Sequence, residues 1–408
     1  MKGMNRIGWL FVVVLAVAFP AMPSLFAKGI ADDAERIHGA PRIQPTAKLL
    51  WTRAICPSGD RYIGWPTVCR RRNGELLAVF SGDRDQHVCP YGKVQMVESR
   101  DNGETWSAPR TLRNGPLDDR DAGILGLKNG DLLLTWFTSL AFTTLKGNPY
   151  ARHAEKIQEE DRIRHLGHFT MRSTDGGKTW EKPVPTCSSA PHGGIQLKDG
   201  RLMMIGREWS SQAGMSAADP RKGKMQDRVV AEVSEDGGRS WKVVNTLMPP
   251  TGQTVASLSL CEPTLAELPD GTIIAQFRAD KAGQTVYQSE SRDGGANWTV
   301  LHPTPLCGLP PHLLVLRDGR LLSTYTRRRA WDPAKNETSE LKACISKDGG
   351  ATWNTAEEIV LATSSSADMG YSSTVELGNG NLLTVYYMHE KPNEGACLMG
   401  TLWHPAPQ

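Results

Sequence analysis

The sequence has no excess of charge of either sign: 47 basic and 44 acidic residues leave a formal net charge of +3 over 408 residues. A nucleic-acid binder normally carries a basic stripe or patch, so this balance argues against one. Among the eight cysteines (Cys56, Cys69, Cys89, Cys187, Cys261, Cys307, Cys344 and Cys397) no two have the C-x-x-C spacing of a zinc ribbon. Beyond the N-terminus no run is long and apolar enough to cross a membrane as a helix. Charged residues at 22% and hydrophobic residues at 39% exclude a disordered chain. What is plentiful is Gly (40), Pro (26) and Trp (12), a composition of tight turns with little helix.

The N-terminus reads differently. Lys2 and Arg6 precede the apolar run WLFVVVLAVAF, then Pro20, Pro23 and the small Ala27. A basic start, a short apolar core and a small residue predict a signal peptide over 1–27, with a linker at 28–46. An uncleaved anchor is the rival, but the run falls short of the ~20 residues of a span. The expectation is a secreted or periplasmic protein with no membrane association after cleavage. Export permits disulfides without requiring them at this length, and buried thiols serve equally well as small hydrophobes. The sequence specifies no pairing and no oligomeric state.

Two patterns repeat. One is an apolar stretch entering Asn-Gly or Asp-Gly and leaving into another, as in VCRRRNGELLAVF and TLAELPDGTIIAQF. Such dipeptides supply the positive φ of a tight hairpin turn. The turn glycines are Gly74, Gly130, Gly200, Gly271, Gly319 and Gly380, so six hairpins recur at blade-like spacing. The other is Ser-x-Asp-x-Gly-x-x-Trp, found as SRDNGETW, STDGGKTW, SEDGGRSW, SRDGGANW and SKDGGATW after the first five hairpins. Its Asp can accept backbone N–H bonds inside its own turn, Gly takes the left-handed position, and Trp packs on neighbouring sheets. Five copies in phase with the hairpins predict an all-β chain, a six-bladed β-propeller over 47–408. The sixth blade lacks the phrase and one strand. The segment AKLLWTRAIC is expected to supply that strand, so that N- and C-terminal strands close the ring and remove exposed edges.

The repeated phrase is the Asp-box, or BNR repeat, and with six blades and an export signal the chain resembles the sialidase (neuraminidase) superfamily. Strand polarity puts the hairpin and Asp-box turns on one face and function on the other. Inner strands then begin, nine residues before each turn glycine, at Trp65, Asp121, Pro191, Glu262, Pro310 and Tyr371. In CEPTLAELPDGTIIAQFR, Glu262 and Arg278 resemble the sialidase Glu and a carboxylate-binding Arg. In MGYSSTVELGNG, Tyr371 resembles the nucleophilic tyrosine that this Glu activates. A phenol of pKa ~10 attacks poorly unless a carboxylate takes its proton. The bland alternative is an Arg–Glu ion pair beside a half-buried tyrosine.

Further residues follow from the resemblance. A second carboxylate-binding Arg is expected among Arg327, Arg328 and Arg329, with Arg328 preferred and Arg327 flanking it, because a planar guanidinium grips a carboxylate with two bonds. Arg207, at the offset of Arg278, is a third candidate cation. The loop after the first hairpin, where sialidases keep an acid/base Asp, offers Asp83, Asp85 and His87, with Asp85 ranked ahead of Asp83 as the acid. Asp118, Asp119, Arg120 and Asp121 could bind sugar hydroxyls, act as the acid, or form a structural salt-bridge knot. No spacing supports a calcium loop, and no metal or cofactor is expected. One departure stands out. Sialidases open blade one with Phe/Tyr-Arg-Ile-Pro, whereas IGWPTV has Gly64 at the arginine position, with Arg61 three residues earlier.

These readings imply an exo-glycosidase acting on a terminal, acidic sugar of a glycan. The alternatives are a propeller lyase acting on uronate glycans, with Tyr371 or a loop histidine as base, and a non-catalytic carbohydrate-binding propeller.

Overall fold

The computed structural model describes residues 47–208, 219, 226–329, 338–390 and 394–405. The expected signal peptide and linker, 1–46, lie outside the described residues. Strand β1 (Lys48–Cys56) comes first. Blade one is β2 (Tyr62–Arg70), β3 (Leu76–Arg84), β4 (Lys93–Ser99) and β5 (Arg110–Arg113). Blade two is β6 (Asp118–Gly126), β7 (Leu132–Ser139), β8 (His168–Ser173) and β9 (Val184–Thr186). Blade three is β10 (Ile195–Gln196), β11 (Leu202–Arg207), β12 (Val229–Ser234) and β13 (Lys242–Leu247). Blade four is β14 (Leu260–Glu267), β15 (Ile273–Ala279), β16 (Thr285–Ser291) and β17 (His302–Cys307). Blade five is β18 (His312–Val315), β19 (Leu321–Arg327), β20 (Ser339–Ser346) and β21 (Ile359–Ser364). Blade six is β22 (Met369–Glu376), β23 (Leu382–His389) and β24 (Ala396–His404), completed by β1, which pairs antiparallel with β24 from Lys48↔His404 to Cys56↔Leu398. The ring is a six-bladed propeller, and its closing strand comes from the segment the sequence singled out.

The five Asp-boxes are one hydrogen-bonded object made five times. In each, the N–H of the fifth-position glycine donates to the first-position serine Oγ at 2.8–2.9 Å, as in Gly103 to Ser99 and Gly177 to Ser173. That serine donates to the Asp Oδ1, and the Asp in turn accepts the backbone N–H four residues on, as Asp348 does from Thr352 at 2.9 Å. Each tryptophan then faces the seam to the preceding blade. Trp180 of blade two packs on a core shared by Leu77 and Val79 of blade one with Leu132 and Leu134. Trp298 and Trp353 do the same for the seams between blades three and four and between four and five. Trp353 is buried, and its Nε1 donates to Gln288 Oε1 across the seam at 3.1 Å. The seam into blade six has no Asp-box; there Trp403 of β24 is buried in the shared core and donates to Thr384 Oγ1 at 3.0 Å.

At the axis the inner strands run very close. A side chain at Gly123 of β6 would meet the Gly193 backbone nitrogen at 2.5 Å, so only glycine fits there. The long insertion between β7 and β8 carries short helices, α1 (Ala151–Ala154) and α2 (Glu159–His165), over a small core of Leu117, Leu140, Phe142 and Leu166. Among the described residues no helix is long and apolar enough to cross a membrane.

Replacing Trp353 with Ala should lower unfolding free energy by about 3–5 kcal/mol, the cost of emptying a buried aromatic site. Chemical denaturation measures it. Ligand affinity of the folded fraction should be unchanged, because the seam lies on the face opposite the tyrosine site.

Candidate active site

Four inner strands share a backbone irregularity at the same place. Trp65, Asp121, Glu262 and Tyr371 have φ of 56°, 46°, 47° and 54°, and around each the inner strand carries one residue more than its partner. A left-handed conformation costs a non-glycine residue about 1–2 kcal/mol. After Trp65 and Glu262 comes a proline, which disfavours the right-handed helical conformation for the residue before it. Such bulges re-aim a side chain, and strained residues of this kind cluster at functional sites. Blades three and five depart from the pattern: Pro191 and Pro310 precede β10 and β18 instead of opening them, and a proline ring cannot take positive φ.

The bulges bring blades four and six together. Tyr371 Oη donates to Glu262 Oε1 at 2.5 Å. Arg278 Nη1 donates to Glu262 Oε2 at 2.6 Å and to Tyr371 Oη at 3.1 Å, while its Nε is held by Asp280 at 2.7 Å. Burial, with Glu262 adding to it, holds the Tyr371 phenol well above its ordinary pKa, so the phenol keeps its proton until the carboxylate takes it. The Arg328 guanidinium lies 5.8 Å from the Tyr371 ring centre, and its Nε and Nη2 are buried with no hydrogen-bond partner among the described residues. Gln284 brackets the Arg328 backbone with two amide bonds of 3.0 Å.

Asp121 stands beside this group with its Oδ1 buried and unpartnered. Burial pushes its carboxyl up to about 7; the nearby Glu262 adds to the shift and Arg120 opposes it. Behind it, Arg84 is fully buried and grips Asp118 with two bonds of 2.6 and 2.9 Å. Arg84 and Arg120 both lie over the Trp65 ring, at 4.8 and 4.1 Å from its centre. Arg120 also donates to Asp118, so Asp118 and Arg120 form part of a buried ion cluster under Trp65.

The blade-one loop goes elsewhere. Asp83 and Asp85 are both bonded by Arg61, and Asp83 also by Lys93, on the exposed rim. Gly64 does not leave the arginine position empty: a side chain there would meet the Tyr62 ring at 3.1 Å. Tyr62 Oη donates to Asp368 Oδ1 at 3.0 Å, as does Tyr387 Oη. His87 Nδ1 lies 3.0 Å from Tyr62 Oη and 3.2 Å from Asp368 Oδ1, and His389 Nε2 is 3.0 Å from Asp368 Oδ2. These four partners hold the Asp368 carboxyl far below its ordinary pKa in spite of its burial. The group borders an open cleft of ≈ 920 Å³, which Asp85, Gln86 and Ser366 also line.

Of the expected residues, Tyr371, Glu262, Arg278, Arg328 and Asp121 gather around the Tyr371 phenol. Arg327 instead pairs in register with Glu340 on β20, and Arg207 is bonded to Asp227 at 2.6 Å. His87 reaches the site through Trp65, whose ring it meets edge-on at 4.9 Å. Sequence reasoning missed Arg84, Asp280, Gln284, Tyr62 and Asp368. Asp368 lies three residues before Tyr371, Tyr387 shares the offset of Arg278 from its turn glycine, and His389 shares that of Asp280, a signal that was available.

A six-bladed Asp-box propeller with a buried tyrosine–glutamate–arginine group on the face opposite its turns is of the sialidase-like class. The chain belongs to the BNR repeat-like domain family, whose pattern matches residues 157–384. It is 25% identical over 330 residues to a sialidase of Bacteroides fragilis, covering 72% of this chain and 55% of that one. It is likewise 25% identical over 402 residues to a sialidase of Micromonospora viridifaciens, covering 91% and 57%. The chain thus spans little more than half the length of these relatives. Among solved structures, a protein of unknown function from Dyadobacter fermentans matches with a TM-score of 0.67 at 23% identity, over 88% of this chain and all of that one. A Hadza microbial sialidase matches with a TM-score of 0.60 at 17% identity, over 86% and 68%. At these identities the structural likeness establishes the fold.

Asp121 yields a pH prediction. Its folded pKa lies above the unfolded value of 3.8, so the folded state binds more protons in between, and this carboxyl makes stability fall as pH rises from about 4 through about 7. Asn accepts left-handed φ and carries no charge. Asp121→Asn should match the wild type near pH 4 and exceed it by on the order of 2–4 kcal/mol at pH 8. Thermal melts across that range check it.

Proposed function

We propose that the protein is an exo-acting glycoside hydrolase that releases a terminal, acidic sugar from a glycan, with Tyr371 as nucleophile and Glu262 as its base. The family-level likeness to sialidases supports a glycosidase-type function. The observation that carries the reading is the 2.5 Å bond from the Tyr371 hydroxyl to Glu262, with an arginine on either side. A phenol with its proton already shared with a carboxylate is a nucleophile in waiting, and being uncharged it does not repel an anionic sugar. Arg328, buried with two unpaired donors, requires an anion to offset its desolvation, and a substrate carboxylate supplies one. Export, with cleavage near Ala27, belongs to the same proposal.

The departure at Gly64 shapes the substrate. Where the resemblance puts a first carboxylate-binding arginine, this chain has Tyr62 bonded to an ionised Asp368. Among the described residues the acid group of the substrate therefore rests on Arg278 and Arg328.

A panel of glycans incubated with the protein and read by mass spectrometry tests the reading. A hydrolase leaves a saturated sugar; an unsaturated, ultraviolet-absorbing product would show a lyase, and intact glycans a binding protein. On a cleaved substrate, Tyr371→Phe and Glu262→Gln should each lower kcat by about 10²–10⁴. The double variant should be little worse than either single one, because the two act as a unit. Near wild-type turnover in either single variant contradicts the mechanism.

A further inference from the structure

A tyrosine nucleophile leaves one requirement unmet: the departing sugar oxygen needs a proton, and the water of the second step must lose one. Asp83 and Asp85 are both engaged by Arg61. Asp121 is shielded, its Oδ1 out of reach of solvent. The cleft on the far side of the Trp65 ring from Tyr371 holds two histidines on one carboxylate, and the two are not equivalent. His389 has both nitrogens engaged, Nε2 with Asp368 Oδ2 at 3.0 Å and Nδ1 with the Glu394 carbonyl at 2.8 Å. Both must donate, so His389 is the cation that neutralises Asp368, and its pKa is raised chiefly by that bond. His87 has one nitrogen engaged. The Tyr62 hydroxyl donates to Asp368, so its oxygen accepts from His87 Nδ1, and Asp368 Oδ1 lies on the same side at 3.2 Å. The hydrogen of a neutral His87 therefore sits on Nδ1. No described residue bonds Nε2, and the ring, with 46% of its side chain exposed, borders the ≈ 920 Å³ cleft. Its carbonyl is pinned by Arg84 at 3.2 Å and Arg120 at 3.0 Å, which fixes the loop at that point.

We propose that His87, aligned by Asp368, is the proton donor and acceptor of the reaction proposed above, on which this inference rests. In the first step Tyr371 Oη bonds the anomeric carbon and passes its proton to Glu262. The bond to the aglycone oxygen breaks, and that oxygen takes the proton from His87 Nε2, leaving a neutral ring. In the second step water attacks the anomeric carbon and gives a proton to His87 Nε2, while Tyr371 leaves and recovers its proton from Glu262. His87 touches the leaving group and is catalytic; Asp368 acts through it and is a positioning residue.

The groups facing His87 set its titration. Arg84 and Arg120 from blades one and two oppose the imidazolium; Asp368 from blade six favours it, with His389 behind; Asp85 and Tyr62 flank it. Loss of hydration in the cleft is the largest influence, and the pKa falls below its ordinary 6.5. The proton-donating form is therefore present at acid pH and lost as pH rises through that lowered value.

The test compares two leaving groups on one acidic sugar, a disaccharide and a nitrophenyl glycoside whose phenolate departs without a proton. His87→Gln should lower kcat/KM on the disaccharide by about 10²–10⁴ and change it less than tenfold on the nitrophenyl glycoside. Added azide, which needs no base to attack, should restore turnover of the nitrophenyl glycoside as the glycosyl azide. Equal losses on both substrates, or no loss on either, overturn the role of His87 while the Tyr371 chemistry stands. A wild type that cleaves neither substrate overturns the glycosidase reading, and this role with it. Nitrogen NMR of histidine-labelled protein, with His87 assigned by difference from His87→Gln, gives a readout free of substrate. The wild type should show the Nδ1–H tautomer and a midpoint below 6.5, and Asp368→Asn should lower that midpoint further. An Nε2–H tautomer, or a midpoint that Asp368→Asn does not move, contradicts the proposal.

Discussion

Everything on the working face depends on four residues held in a backbone conformation that none of them prefers. Trp65, Asp121, Glu262 and Tyr371 each take a left-handed φ within a one-residue slip of an inner strand. A regular strand would alternate its side chains between the two faces of its own blade. The slip brings the tyrosine of blade six, the glutamate of blade four and the aspartate of blade two to one place. Together the four distortions cost several kcal/mol, at about 1–2 kcal/mol each. The neighbouring ladder bonds and the ion cluster beneath Trp65 hold them in place.

The Asp-boxes supply that rigidity from the other end. Each ties its own turn with serine and aspartate and lays a tryptophan over the seam to the preceding blade. The seams, more than the blades, are where adjacent sheets interlock, and closure by β1 joins the last to the first. A ring of this kind fixes the distance between blades four and six, which a 2.5 Å hydrogen bond across the funnel requires. Frame and chemistry are thus separate in sequence and coupled through inner strands that carry a hairpin turn at one end and a bulge at the other.

Much of this was legible in the sequence because it is periodic. Asn-Gly and Asp-Gly turns, five copies of one octapeptide and a fixed nine-residue offset located the blades and nominated Tyr371, Glu262, Asp121 and Trp65 as equivalents. What the periodicity did not reveal is non-local. Asp368 lies in a loop outside the repeat, and its partners Tyr62, His87, Tyr387 and His389 come from blade one or the far end of β23. Arg84 reads as a rim residue in GDRDQH, and only the fold reveals that it is buried against Asp118. Arg207 shares the offset of Arg278 but meets Asp227 instead, because blade three has no bulged acid at the start of its inner strand. Offset predicts position on a blade; it does not predict which partner waits there.

The account turns on Tyr371 bonding to the sugar. A fluorinated analogue of a cleaved substrate, whose slowed second step lets the intermediate accumulate, can be incubated with the protein, digested and mapped by mass spectrometry. The account predicts one added sugar on the peptide containing Tyr371, carried by the phenol oxygen and absent in Tyr371→Phe. An adduct on Glu262 or Asp121, or no adduct while the unfluorinated substrate is turned over, would contradict it.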